Sequence, residues 1–213
     1  MKRKNQKSFF VAIGILAAFV LWTLALSMVD VRNIGPRESA VGFATINGFV
    51  HSKIGVNMTL YTITDWLGLV PFGFVMGFGI LGLLQWINRK HFLKVDRDIL
   101  ILGGFYLVVM AVYILFEMIT VNYRPVLINE VLEGSYPSST TMLVMCVIPT
   151  AMMQLRCRMK IGFARSCVTF LLFGFLIFMV LGRIISGVHW ITDIIGGALL
   201  STGLVMLYRW LTR

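Results

Sequence analysis

FFVAIGILAAFVLWTLALSMV, residues 9–29, carries no charged side chain. A helix of about 20 apolar residues crosses the hydrocarbon core of a bilayer, so this stretch alone reads as a membrane span. It follows the basic segment MKRKNQK at 1–7, an arrangement that a secretory signal shares. The stretch is longer than a signal core and no convincing cleavage site follows it, which favours a retained helix. Working outward, a window of roughly 19 residues finds further apolar stretches at 64–87, 99–119, 141–155, 166–181 and 191–207. Two of these, 141–155 and 166–181, are short for a crossing and must borrow polar neighbours such as Ser138 to Thr141 and Phe163 to Arg165.

Six such spans predict an all-α polytopic bundle of six transmembrane helices forming a single domain over 1–213, because in lipid each segment must satisfy its own backbone hydrogen bonds. A barrel would show short alternating segments instead. Composition agrees: 58% of the 213 residues are hydrophobic and only 13% charged, about half the charge of a soluble domain, with a mean hydropathy of +0.87. An ordinary soluble globule is excluded on that ground. Gly73, Gly77, Gly79 and Gly82 in the second span, with Gly196, Gly197 and Gly203 in the sixth, are candidates for close helix approach.

The net charge of +10 is compatible with nucleic acid, anionic lipid or a topology signal, and its distribution decides. Fourteen of the 19 basic residues fall before the first span, in the second and fourth connections and at the C-terminus. Five do not: Arg32, Arg37, Lys53, Arg124 and Arg183. The positive-inside rule therefore predicts a multi-pass protein of the cytoplasmic membrane with both termini in the cytoplasm. Dispersed basic residues in short loops, with no recognition fold, argue against nucleic acid. Residues 30–60 form a long outer connection containing His51, and NMTLYTITDW at 57–66 is expected to lie at the interface with Tyr61 and Trp66 at headgroup level. Cys146, Cys157 and Cys167 have neither metal-site spacing nor an obvious disulfide partner.

The unusual chemistry gathers at the outer ends of the later spans: YRPVL at 123–127, SYPSSTT at 135–141 and GRIISGVHWITD at 182–193. If the last helix begins near residue 187, His189 and Asp193 stack at i, i+4, and a carboxylate-held imidazole suits a nucleophile or general base. A capping histidine beside Trp190 with a satisfied Asp193 explains the same pair. Arg124 and Arg183 supply guanidinium forks for phosphoryl oxygens. Pro137, Ser138 and Ser139 can start a helix whose hydroxyls and first-turn N–H groups face an anion, or can be an ordinary N-cap.

On these residues the chain resembles the type 2 phosphatidic acid phosphatase (PAP2) superfamily of six-helix membrane lipid phosphatases, over essentially its whole length. The family's signatures are a Lys six residues before Arg-Pro, then Pro-Ser-Gly-His, then Ser-Arg followed after five residues by His and after three more by Asp. Here they read Glu117 with Arg124 and Pro125; Pro137, Ser138, Ser139 and Thr140; and Gly182, Arg183, His189 and Asp193. The third is nearly intact, whereas the first has Glu for Lys and the second has Ser for Gly and Thr for His.

The resemblance implies catalytic roles for His189, Asp193, Arg183 and Arg124. His189 attacks phosphorus to form a phosphohistidine, Asp193 orients it, and the two arginines neutralise the transition state, with no metal and no cofactor. Arg124, Arg183, Ser138, Ser139 and Thr140 bind the substrate phosphate, and the substrate is a membrane lipid phosphate or prenyl diphosphate processed on the extracytoplasmic side. Thr140 stands where the family's acid is, and a hydroxyl is too weak an acid to replace imidazole. A diphosphate tolerates that loss best, because its leaving phosphate monoester needs less protonation than an alkoxide. Glu117 repels phosphate unless it is protonated or pairs with Arg124 or Arg183, and His51 is a candidate to fold over and supply the missing proton. Two alternatives stay open: a degenerate member that binds phospholipid or a protein partner without turnover, and a lipid headgroup or phosphoryl transferase.

Overall fold

The computed structural model describes residues 2–213, with side chains from residue 6 onward. The side chains of Lys2, Arg3 and Lys4, counted above in the basic edge, lie outside the described residues. Eight α-helices follow in order: α1 (Lys2–Met28), α2 (Ala44–Ile54), α3 (Met58–Leu67), α4 (Val70–Arg89), α5 (Arg97–Met118), α6 (Ser139–Arg158), α7 (Phe163–Ser186) and α8 (Ile191–Leu211). They supply six membrane spans, in which α3 and α4 together form one of 32 residues, Met58–Arg89. The protein is thus an all-helical, multi-pass membrane protein.

The spans extend beyond the apolar windows at their polar ends. The stretch read as 141–155 is a 20-residue helix, and 166–181 is one of 24 residues, so both cross by enlisting polar flanks. The second span begins six residues earlier than its apolar run. NMTLYTITDW is a helix capped by Asn57, whose side chain accepts the Leu60 N–H at 2.9 Å. It packs on α7, with Trp66 outward at 71% exposure and Tyr61 turned inward to the arginines described below. Tyr61 therefore faces the bundle interior and not the lipid.

Burial divides the bundle. α6 and α8 are buried over 50% and 56% of their apolar windows, the other four spans over only 6–17%. The core accordingly runs along α6 and α8, with Met142 and Cys146 meeting Leu200, Leu204 and Tyr208, sealed by Phe19 and Leu26 of α1 and Leu102 of α5. Close approach depends on the α8 glycines: a Cβ at Gly196 would sit 2.4 Å from the Tyr136 ring, and one at Gly203 would sit 2.7 Å from Leu16. The expectation for the second span is corrected in part, since a Cβ at Gly73, Gly77 or Gly79 would meet nothing within 4 Å. Those glycines lower side-chain bulk on a lipid-facing surface where no helix presses in.

At the end of the bundle carrying the α4–α5 and α6–α7 connections, Asp96 pairs with Arg89 at 2.8 Å and Asp98 with Arg158 at 2.9 Å. The long connections 29–57 and 119–138 gather at the other end. Asn47 of α2 donates to Thr192 Oγ1 at 2.9 Å and to the Gly42 carbonyl at 2.7 Å, so the first connection is clamped to the start of α8. Cys146, Cys157 and Cys167 are free thiols.

Candidate functional site

α7 ends at Ser186 because Gly187 takes a left-handed conformation, φ +66°, where a Cβ would also strike the Gly55 carbonyl oxygen at 1.8 Å. The chain turns, and α8 begins at Ile191. His189 therefore lies in a tight interhelical turn and not on a helix with Asp193, which corrects the stacked i, i+4 arrangement. Asp193 is instead the third residue of α8, and its Oδ2 accepts the Trp190 N–H at 3.0 Å, as a helix-capping carboxylate does. Oδ2 lies 3.8 Å from His189 Nδ1, which makes its hydrogen bond with the Ser135 carbonyl at 3.2 Å. The group that orients the imidazole is a backbone oxygen that no sequence pattern marks.

The Ser135 carbonyl is held by the α5–α6 connection. Tyr123 bridges Gly134, Arg124 N donates to the Glu133 carbonyl at 3.0 Å and Ser135 N to the Asn122 carbonyl at 2.8 Å. Trp190 Nε1 ties this loop to α8 by donating to the Tyr123 carbonyl at 2.7 Å. Trp190 is 3% exposed, so it is an internal strut. Replacing Asp193 with Ala leaves the buried Trp190 N–H without its acceptor. A loss of about 1–3 kcal/mol is expected, measurable as a lower melting temperature in detergent.

Two guanidinium groups converge on the other imidazole nitrogen. His189 Nε2 lies 3.2 Å from Arg124 Nη1 and 3.5 Å from Arg183 Nη2. Since guanidinium nitrogens only donate, Nε2 must present its lone pair, and the proton must sit on Nδ1, donated to Ser135. Burial first, then the charges of Arg124 and Arg183, hold the His189 pKa well below 6.5 against the opposing pull of the Ser135 bond. With the folded pKa depressed, the ring is neutral from neutral pH down through 6.5. As pH falls below 6.5 the unfolded chain takes a proton that the folded chain refuses, and stability declines. The imidazole resonances lost in His189→Gln are expected to report the neutral Nδ1–H tautomer at pH 6.5; an imidazolium there would contradict this geometry.

Arg183, with 1% of its side chain exposed, is set by α3. Its Nη1 donates to Thr64 Oγ1 at 3.3 Å and lies 3.8 Å from Asp65 Oδ1, while its guanidinium carbon sits 4.9 Å from the Tyr61 ring centroid. Arg124 also faces Tyr61, at 5.9 Å, and pairs with Glu133 through Nε at 3.0 Å, outside hydrogen-bond geometry. The Nε atoms of both arginines are buried with no hydrogen-bond acceptor among the described residues. Tyr61, Thr64, Asp65, Glu133 and Ser135 are the neighbours that motif reading missed. Of these only Tyr61 carries a sequence signal, as an aromatic of the 57–66 segment, and that signal points to the membrane interface.

A cavity of about 60 Å³ is lined by Arg124 and His189 together with Glu117, Thr120, Pro137 and Ser139. Glu117 thus reaches the same space as His189, but it forms no ion pair among the described residues. Of the two conditions under which Glu117 tolerates phosphate, protonation or pairing with Arg124 or Arg183, the pairing is not met: Glu133 and Asp65 take those places. Ser138 faces away from the cavity, its N–H donating to the Asp193 carbonyl at 3.1 Å and its Oγ accepting from Thr141 at 3.0 Å. Thr140 does not line the cavity either, and its methyl packs beside Gly68 at the α3–α4 break. His51 bonds the Gly187 carbonyl at 3.1 Å and shares a second small cavity with His189, but it does not line the cavity of Arg124 and Glu117, where a leaving group would need the proton.

A family model described as the PAP2 superfamily matches residues 103–213. A search of curated proteins finds no match. Among solved structures, the chain is similar to the crystal structure of a transmembrane PAP2-type phosphatidylglycerolphosphate phosphatase from Bacillus subtilis. The two are 17% identical with a TM-score of 0.60, over 93% of this chain and 94% of that one.

Proposed function

Because the chain belongs to the PAP2 superfamily, we propose that it is a membrane lipid phosphatase in which His189 Nε2 takes the phosphoryl group and passes it to water. The observation that carries this reading is the imidazole lone pair aimed between two guanidinium groups, with the proton parked on the opposite nitrogen by a carbonyl. Two cations beside one another are costly unless an anion joins them, and a phosphoryl group offers oxygens to both. Nε2 attacks phosphorus, the bond to the leaving oxygen breaks, and Arg124 and Arg183 neutralise the charge that spreads over the remaining oxygens. Water then attacks phosphorus on the far side, the Nε2–P bond breaks, the imidazole leaves neutral with its Nδ1 proton, and the protons of the water stay with the departing phosphate.

The proposed substrate is a lipid phosphate or prenyl diphosphate, with the diphosphate favoured. No second imidazole lines the cavity at His189, and Thr140, at the position of the family's acid, lies outside it; a departing phosphate monoester needs little protonation. The basic edge of fourteen residues favours a site on the outer side of the cytoplasmic membrane. A binder without turnover is the second reading, and the position of Thr140 favours it.

Rapid acid-free quenching of the purified protein with a ³²P-labelled prenyl diphosphate and a labelled lipid monophosphate tests the covalent step. Alkali-stable, acid-labile label on the wild type and none on His189→Gln is expected. Bound lipid phosphate without labelled protein or released phosphate would support the binding reading instead.

A further inference from the structure

The molecule holds a second basic cavity far from His189. α6 runs from Ser139 beside the catalytic cluster to Arg158, and 20 residues at about 1.5 Å each span about 30 Å, the hydrocarbon thickness of a bilayer. The α6–α7 turn therefore sits at the opposite membrane edge. There a cavity of about 580 Å³ opens between the C-terminal part of α6 and the first turns of α7, within the size range of small-ligand pockets.

Its lining has two chemical halves. Arg156 and Arg165 with the hydroxyls of Ser166 and Thr169 make one, and Phe170 and Phe173 are the chief apolar members of the other. Neither arginine makes a hydrogen bond or ion pair among the described residues. The acidic groups at this end are already committed, Asp98 to Arg158 and Asp96 to Arg89, and no carboxylate lines the cavity. Phe170 is 75% exposed and Phe173 52%, so the apolar half faces the acyl region of the membrane while the basic half lies at headgroup level.

We propose that this cavity binds an anionic phospholipid of the leaflet opposite the catalytic cluster. The phosphodiester lies between Arg156 and Arg165 within reach of Ser166 and Thr169, and an acyl chain follows α7 across Phe170 and Phe173. Charge complementarity selects an anionic headgroup, since basic pockets between helices at a membrane edge recognise such lipids. The apolar wall selects a lipid over a free anion, because inorganic phosphate gains nothing from the phenyl rings.

The test is native mass spectrometry and thermal melting of the full chain in detergent, titrated separately with phosphatidylglycerol, phosphatidylcholine and inorganic phosphate. The wild type is expected to retain phosphatidylglycerol and melt higher with it, with little effect of phosphatidylcholine or millimolar phosphate. Arg156→Gln with Arg165→Gln is expected to bind phosphatidylglycerol about 30-fold more weakly, from about 1 kcal/mol per basic group. Lys94→Gln with Lys160→Gln, which removes the same charge at the same edge outside the cavity, is expected to stay within about threefold, since long-range attraction is all it loses. Equal binding of the two lipids by the wild type would overturn the proposal without any variant. So would equal loss in the two double variants, or stabilisation by inorganic phosphate alone matching that by lipid. None of these results bears on turnover at His189.

Discussion

His189→Ala is expected to abolish the phosphoenzyme and to reduce phosphate release to what charge and positioning alone sustain, about 10³–10⁴ over the uncatalysed reaction when a nucleophile is removed. The expectation rests on Nε2 being the only unprotonated nitrogen facing the paired guanidinium groups. Arg183→Ala is expected to cost less, about 10²–10³ in kcat, the usual loss on removing one preorganised donor to a developing oxyanion. It should leave some histidine-linked label, because Arg124 stays. Measuring steady-state release and quenched label together separates the cases. Equal release from wild type, His189→Ala and Arg183→Ala would sink the mechanism, and a binder without turnover would show no release in any of the three.

The spans were legible because apolar runs of this length have one solution in lipid, and the two short runs could be extended by reading their polar flanks. The break between α3 and α4 was not legible. Gly68 ends α3 but looks like any of the 20 glycines in the sequence, many of which sit in open lipid-facing positions. At the site, residue chemistry and spacing single out Arg124, Arg183 and His189, and the structure brings both guanidinium groups within 3.5 Å of one imidazole nitrogen. Asp193 was found and given the wrong geometry: counting i to i+4 assumes an unbroken helix, and the left-handed Gly187 delays the start of α8 to Ile191. The Ser135 carbonyl was out of reach because a backbone acceptor leaves no mark in a sequence. Asp65 and Glu133 were missed for a related reason, since the pairing of Arg183 with Asp65 crosses over a hundred positions and depends on α3 lying against α7. Glu117 shows the converse: its place in the motif marks it for the cavity, which it lines, but sequence alone does not say that Glu133 and Asp65 occupy the arginines that could pair with it.

Thr140→His is the substitution expected to raise activity, and by an amount that depends on the leaving group. The threonine sits in the first turn of α6, half-buried, with its methyl against Gly68; the adjacent residue, Ser139, lines the cavity with His189. Thr140 itself does not line that cavity, so the gain requires the longer imidazole to swing from Gly68 to the Ser139 side of the turn. A lipid monophosphate expels an alkoxide, which gains most from a proton supplied in the transition state; general acid catalysis is worth about 10²–10⁴, and an unoptimised imidazole should recover about 10²-fold at the lower end of that range. A prenyl diphosphate expels a phosphate monoester, a much weaker base, so its cleavage should change by less than about tenfold, because Brønsted behaviour scales the benefit with the basicity of the departing oxygen. The ratio of the two gains is the diagnostic quantity, since altered stability or expression shifts both substrates together. Comparable acceleration of both, or of the diphosphate alone, would show that Thr140 does not stand in for an acid and that the substrate preference has another origin.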